Sequence, residues 1–207
     1  MIAIVDYGSG NLQAIRNIYH RLSIPFVLAK GPEDLADADR VLLPGVGAFD
    51  QAMGELNASG MRRALDQAVL EDGKPILGIC VGMQLLARSS EEGREAGLGW
   101  IDASVRRFDP ALIARPPRLP HLGWNTVEPT REDPLFAGAD LRNGYYFLHS
   151  YYVACDDPAD VLAFTEYGVR FASAVSRGRI RGVQFHPEKS HQAGVQLLRN
   201  FALSAVD

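Results

Sequence analysis

Short aliphatic runs alternate with amphipathic stretches through the first half of the chain, and this restricts the fold more than any other feature. Residues 2–5 (Ile-Ala-Ile-Val) read as a buried strand. Residues 11–22 carry Leu12, Ile15, Ile18, Tyr19 and Leu22 on one helical face. Residues 25–28 and 40–43 read as strands, 47–59 and 61–71 as helices, and 75–79 as another strand. Strand and helix in that alternation predict an α/β fold: a mostly parallel sheet with helices on both faces. Beyond Gly99 the pattern shortens. Residues 104–108, 145–153, 161–166, 171–176 and 180–185 suggest antiparallel strands added to that sheet or packed beside it. Residues 190–205 close the chain as a helix, with Val195, Leu198, Phe201 and Ala202 at helical spacing. No repeat, low-complexity tract or long linker divides the sequence, so residues 1–207 read as a single domain.

The balance of 47% hydrophobic and 22% charged residues is that of a folded globular protein. With 21 Lys and Arg against 25 Asp and Glu, the net charge is −4, which offers no basic footprint for nucleic acid. The N-terminus has no basic segment and meets Asp6 at once, so it does not read as a signal peptide. No apolar run approaches the roughly 20 residues of a membrane span. Two cysteines, Cys80 and Cys155, make no disulfide framework, and the simplest reading is a reducing cytoplasm with both thiols free.

Chemistry concentrates first at Gly78-Ile79-Cys80-Val81-Gly82. The apolar run 75–79 ends there, and the helix-forming run Met83-Gln84-Leu85-Leu86-Ala87 follows. Cys80 therefore falls on a strand-to-helix turn flanked by glycines, the setting of a nucleophile elbow. A helix N-terminus favours thiolate over thiol. The Val81 N–H points to where an oxyanion would form. A lone cysteine is more often a small core residue, but the glycine frame reverses those odds.

A thiol nucleophile needs a base, and the base an orienting group. The strand ending at Phe185 runs into His186-Pro187-Glu188. His186 stands at a strand's carboxyl end, on the side of the sheet where Cys80 emerges. Glu188 can curl back to the second imidazole nitrogen. His20 and His191 lie on helices, while His121 and His149 sit in aromatic-rich segments and look positional. No Cys/His cluster has zinc spacing, so no metal is expected.

Pro44-Gly45-Val46-Gly47-Ala48-Phe49 is another strand end turning into a helix, and exposes N–H groups from Val46 and Gly47 as second oxyanion donors. The segment Asp6-Tyr7-Gly8-Ser9-Gly10-Asn11 imitates the start of a dinucleotide fingerprint. Gln13 stands where the third glycine belongs, so no nucleotide cofactor is expected.

Together these segments resemble the class I, triad-type glutamine amidotransferases. Within that family the closer likeness is to the glutaminase subunits of histidine biosynthesis. It rests on Asp6-Tyr7-Gly8-Ser9-Gly10-Asn11-Leu12, Pro120-His121-Leu122-Gly123-Trp124-Asn125, Tyr146-Phe147-Leu148-His149-Ser150-Tyr151 and His186-Pro187-Glu188-Lys189-Ser190. The resemblance covers essentially the whole chain. Val81 and Leu122 depart from it, as apolar exchanges for Leu and for Met or Ile.

The resemblance implies a three-layer, flavodoxin-like fold and a Cys80, His186, Glu188 triad that releases ammonia from glutamine through a thioester. Val81 and the Val46–Gly47 turn would hold the oxyanion. Gln84, Glu92, Ser150 and Tyr151 would grip the glutamine, with Glu91 competing with Glu92 for register. It also implies a (β/α)8-barrel cyclase partner in a heterodimer. That partner uses the ammonia to form imidazole glycerol phosphate and aminoimidazole carboxamide ribotide. Asn11, Trp124, Tyr145 and Lys189 are the candidate interface residues. Glutaminase subunits of anthranilate or pyridoxal phosphate synthesis, or a non-catalytic scaffold with an elbow cysteine, remain alternatives at this stage.

Overall fold

The computed structural model describes residues 1–114, 116 and 118–204. In the first half the elements are β1 (Ile2–Val5), α1 (Leu12–Arg21), β2 (Phe26–Ala29), β3 (Arg40–Gly45), α2 (Phe49–Ala58), α3 (Met61–Asp66), β4 (Ile76–Cys80), α4 (Val81–Gln84) and β5 (Ser89–Ser90). Then follow β6 (Ala103–Arg107), β7 (His121–Asn125), β8 (Glu128–Pro129), β9 (Tyr145–His149), β10 (Tyr151–Cys155), β11 (Val161–Tyr167), β12 (Val169–Arg177), β13 (Ile180–Val183) and α5 (His191–Leu203). Among the described residues no helix is long and apolar enough to cross a membrane.

The main sheet runs β2-β1-β3-β4-β13-β12-β10-β6-β5, with β11 paired to β12 and β8 to β11. Strands β2, β1, β3, β4 and β13 run parallel to one another along that path. Strands β1 and β4 are buried at every residue, and β3 at all but Arg40. That burial is what a parallel strand covered on both faces requires, and it explains the unbroken aliphatic runs. Strands β7 and β9 form a separate antiparallel ribbon.

The pairing register fixes where chemistry can occur. Gly45 lies opposite Cys80 across β3 and β4, and Val183 lies opposite Ile79 across β4 and β13. Three strands thus end side by side, and the turns that follow them share one edge of the sheet.

The structure corrects several sequence expectations. Strand β13, expected among the antiparallel additions, is parallel to β4 and antiparallel only to β12. Residues 145–153 are two strands rather than one, because β9 pairs with β7 while β10 pairs with β6 and β12. The expected helix 61–71 is α3 continued by a π-helical turn, Gln67–Glu71. The helix after Cys80 spans only Val81–Gln84, so its dipole is shorter than the run to Ala87 suggests. The closing helix ends at Leu203, and Ala205 lies outside the described residues.

Candidate active site

Cys80 ends β4 with φ +55° and ψ −112°, a left-handed conformation that costs energy for a residue with a Cβ. Its glycine neighbours make the turn possible. A Cβ on Gly78 would lie 2.5 Å from the Gly82 carbonyl oxygen, and one on Gly82 would collide with the Leu43 carbonyl oxygen. The thiol is 4% exposed but lines a pocket of about 280 Å³. Val81 opens α4, and first-turn N–H groups have no acceptor within their own helix.

His186 follows β13 and is 3% exposed. Its Nδ1 meets Glu188 Oε1 at 2.9 Å, which leaves the other ring nitrogen available to a thiol in the same pocket. The turn is pinned from below by Ser190, whose hydroxyl donates to the His186 carbonyl at 2.6 Å and accepts from Tyr146 N–H at 3.0 Å. Burial opposes the charged imidazole. Hydrogen bonds and ionic attraction from Cys80 and Glu188 outweigh it and raise the His186 pKa to about 10. The imidazole is therefore protonated at neutral pH beside the elbow thiol. A thiolate with a proton donor beside it can attack an acyl carbon and then protonate the leaving group.

The same pocket is lined by Val46, Gly47, Val81, Gln84, Glu92, Ser150, Tyr151 and His186, all expected at the site from sequence, and by Lys189, expected at the partner face. Pro120, Leu148 and His149 line it too and were not expected there. Between the competing carboxylates, Glu92 faces the pocket and accepts from Phe49 N–H at 2.9 Å, whereas Glu91 accepts from Arg107 N–H on β6. Gln84 Nε2 donates to the Tyr151 carbonyl at 3.1 Å and to Gln184 Oε1 at 3.0 Å.

The second oxyanion turn is tied to the segment first read as a nucleotide decoy. Val46 N–H donates to Ser9 Oγ, and that hydroxyl donates to the Val46 carbonyl. Ser9 stands between two glycines in a segment that carries the family resemblance, but the sequence assigns it no role. Both of those, Gly8 and Gly10, have positive φ, so the loop presents Ser9 sharply to the turn.

The candidate interface residues separate. Trp124 is 44% exposed and stacks on His191 at 5.0 Å, and Lys189 Nζ lies 5.6 Å from the Tyr146 ring centre. Asn11 Nδ2 contacts Glu188 Oε1 at 3.4 Å. Tyr145 is corrected to a core residue: it is 0% exposed and stacks on Phe185 at 4.0 Å, leaving no surface to offer. His121 and His149 form a buried pair, Nδ1 to Nε2 at 3.0 Å, and burial lowers their pKa values to about 4 and about 3.

The model of the glutamine amidotransferase class-I family matches residues 3–205. The chain belongs to the class-I glutamine amidotransferase family. Among curated members, a Bdellovibrio bacteriovorus protein named imidazole glycerol phosphate synthase subunit HisH is 50% identical, covering 98% of this chain and 99% of that one. The HisH of Leptospira borgpetersenii is 46% identical with the same coverages, and HisH 2 of Methanococcus maripaludis 43% over 99% and 100%. A solved glutamine amidotransferase superposes with TM-score 0.70 at 19% identity, covering 97% of each chain. The glutaminase domain of Trypanosoma brucei CTPS, solved with acivicin, gives 0.63 at 17%, covering 97% and 92%. These two show the family's α/β fold.

Proposed function

We propose that this chain is the glutaminase subunit of an imidazole glycerol phosphate synthase, a single amidotransferase domain acting in the cytoplasm for histidine biosynthesis. The carrying observation is Cys80 on a strained elbow, in one pocket with a buried His186 that Glu188 clamps at 2.9 Å. Near-full-length similarity to several proteins named HisH supports the pathway.

In this reading the Cys80 thiolate attacks the carboxamide carbon of glutamine. Val81 N–H, with the Val46–Gly47 turn, stabilises the oxyanion. His186 gives its proton to the leaving ammonia, and a γ-glutamyl thioester remains on Cys80. His186 then takes a proton from water, which attacks the thioester and releases glutamate. Gln84, Glu92, Ser150 and Tyr151 hold the ends of the substrate. Ammonia passes to a (β/α)8-barrel cyclase subunit docked over the pocket mouth. Asn11, Trp124 and Lys189 serve that contact, beside exposed Leu122 and Leu148. An exposed apolar rim of this kind marks a docking face.

The test is glutamate release with and without the barrel cyclase and its ligand. Strong stimulation by the cyclase is expected. Full turnover without it, or stimulation only by the acceptor subunit of another pathway, overturns the proposal.

A further inference from the structure

The geometry points to Gln184 as a further catalytic residue, a fixed N–H donor to the Cys80 sulfur; this rests on Cys80 being the nucleophile. Gln184 follows β13 directly and is 0% exposed. Because Val183 pairs with Ile79, the next residue in each strand brings Gln184 beside Cys80. Its Nε2 lies 3.7 Å from Sγ, a hydrogen bond to sulfur.

The direction of that bond follows from one atom that can only accept. Tyr151 O is a backbone carbonyl, so the Gln84 atom 3.1 Å away is the amide nitrogen. That same nitrogen lies 3.0 Å from the Gln184 side chain, so the Gln184 atom facing it is the oxygen. The nitrogen of Gln184 is then the end turned to sulfur. Tyr151 O is itself held, accepting from His149 Nδ1 at 2.7 Å, and His149 Nε2 accepts from His121 Nδ1. His121 Nε2 in turn accepts from Asn125 Nδ2 at 3.1 Å. Two donor runs thus converge on Tyr151 O, one from the β7–β9 ribbon through His149 and one from Gln84, which also donates onward to Gln184.

A dry amide N–H aimed at sulfur favours thiolate over thiol, because hydrogen bonds to an ionised acceptor are the strong ones. The other titratable groups around that sulfur are His186 with Glu188 behind it, Tyr7 from the loop after β1, the neutral His149, and Glu92, Tyr151 and Lys189 on the lining of the same pocket. None supplies a donor of fixed polarity independent of pH. Gln184 does.

The test is the rate of Cys80 alkylation by iodoacetamide from about pH 5 to about pH 11, in a Cys155→Ala background. Gln184→Leu removes the donor at similar volume. Gln184→Glu keeps an acceptor for Gln84 and puts a carboxyl oxygen against sulfur. Both are expected to move the profile up by roughly one pH unit and to match wild type on the alkaline plateau. A profile that coincides with wild type in either folded variant overturns the proposal. So does an equal slowing at every pH, which would mark a displaced thiol. The alkylation needs neither glutamine nor a partner. A wild-type chain that makes no glutamate with the cyclase would therefore refute the proposed function separately.

Discussion

The hydroxyl of Ser9 holds both backbone polar groups of Val46, accepting from its N–H at 3.0 Å and donating to its carbonyl at 2.8 Å. An N–H committed to Ser9 is not free to meet an oxyanion at Cys80. In the proposed mechanism the second oxyanion donor is thus restrained by a residue on the loop after β1, and its use requires those bonds to break. Each contributes about 1 kcal/mol net, so releasing both shifts such an equilibrium by up to roughly thirtyfold. Ser9→Ala is expected to raise partner-independent glutamate release severalfold while narrowing the stimulation that a partner gives. Unchanged or lower basal turnover in a folded Ser9→Ala chain would show that the restraint has no part in activation.

Glu188 is 1% exposed, and its Oε1 takes the His186 Nδ1 contact. Replacing the carboxylate by an amide removes the charge that helps keep His186 protonated and loosens its tautomer. Glu188→Gln is expected to lower kcat for glutamine hydrolysis by about 10² to 10⁴, with little change in KM. Steady-state kinetics with the partner present read the split. A loss below about threefold would remove Glu188 from the machinery.

His186 is raised to about 10, so its imidazole stays protonated well above the ordinary histidine range. The proton that departs with ammonia is present until pH rises through that value. Glutaminase kcat is therefore expected to hold from near neutrality to about pH 9 and to fall beyond about pH 10. In Glu188→Gln the alkaline fall should come earlier, since one of the groups raising the pKa is gone. An alkaline limb near pH 6.5 in the wild type would contradict this.

Much of this was legible in the sequence because local chemistry and fold agreed. Gly78 and Gly82 announce a crowded turn, and the aliphatic runs of β1, β3 and β4 announce burial on both faces. What escaped depends on pairing between distant segments. The alternation through 145–153 is continuous, and nothing local says that the chain changes sheets at Ser150. The parallel direction of β13 comes from the connection preceding it, not from its own four residues. Tyr145 carries the same side chain as its neighbour Tyr146, yet only the first faces the core against Phe185. Gln184 escaped because a single amide after an apolar run becomes informative only once Gln84, Tyr151 and Cys80 surround it.

The buried His121–His149 pair should make the fold acid-sensitive in a defined window. Burial, the leading cause for both, holds their pKa values near 4 and 3, against about 6.5 in an unfolded chain. As pH falls below 6.5 the unfolded chain takes up protons that the folded chain refuses. Stability then declines by roughly 1.4 kcal/mol per pH unit for each histidine, down towards the folded values. His186 acts in the opposite sense: its raised pKa adds stability that is fully present below about 6.5 and lost as pH rises through about 10. Urea unfolding at pH 6.5 and at pH 4.5 reads the acid side. His149→Gln does not titrate and keeps polar ends for both neighbours, so its unfolding free energy is expected to fall less steeply over that interval. Identical slopes for the variant and the wild type would assign the acid sensitivity to other groups.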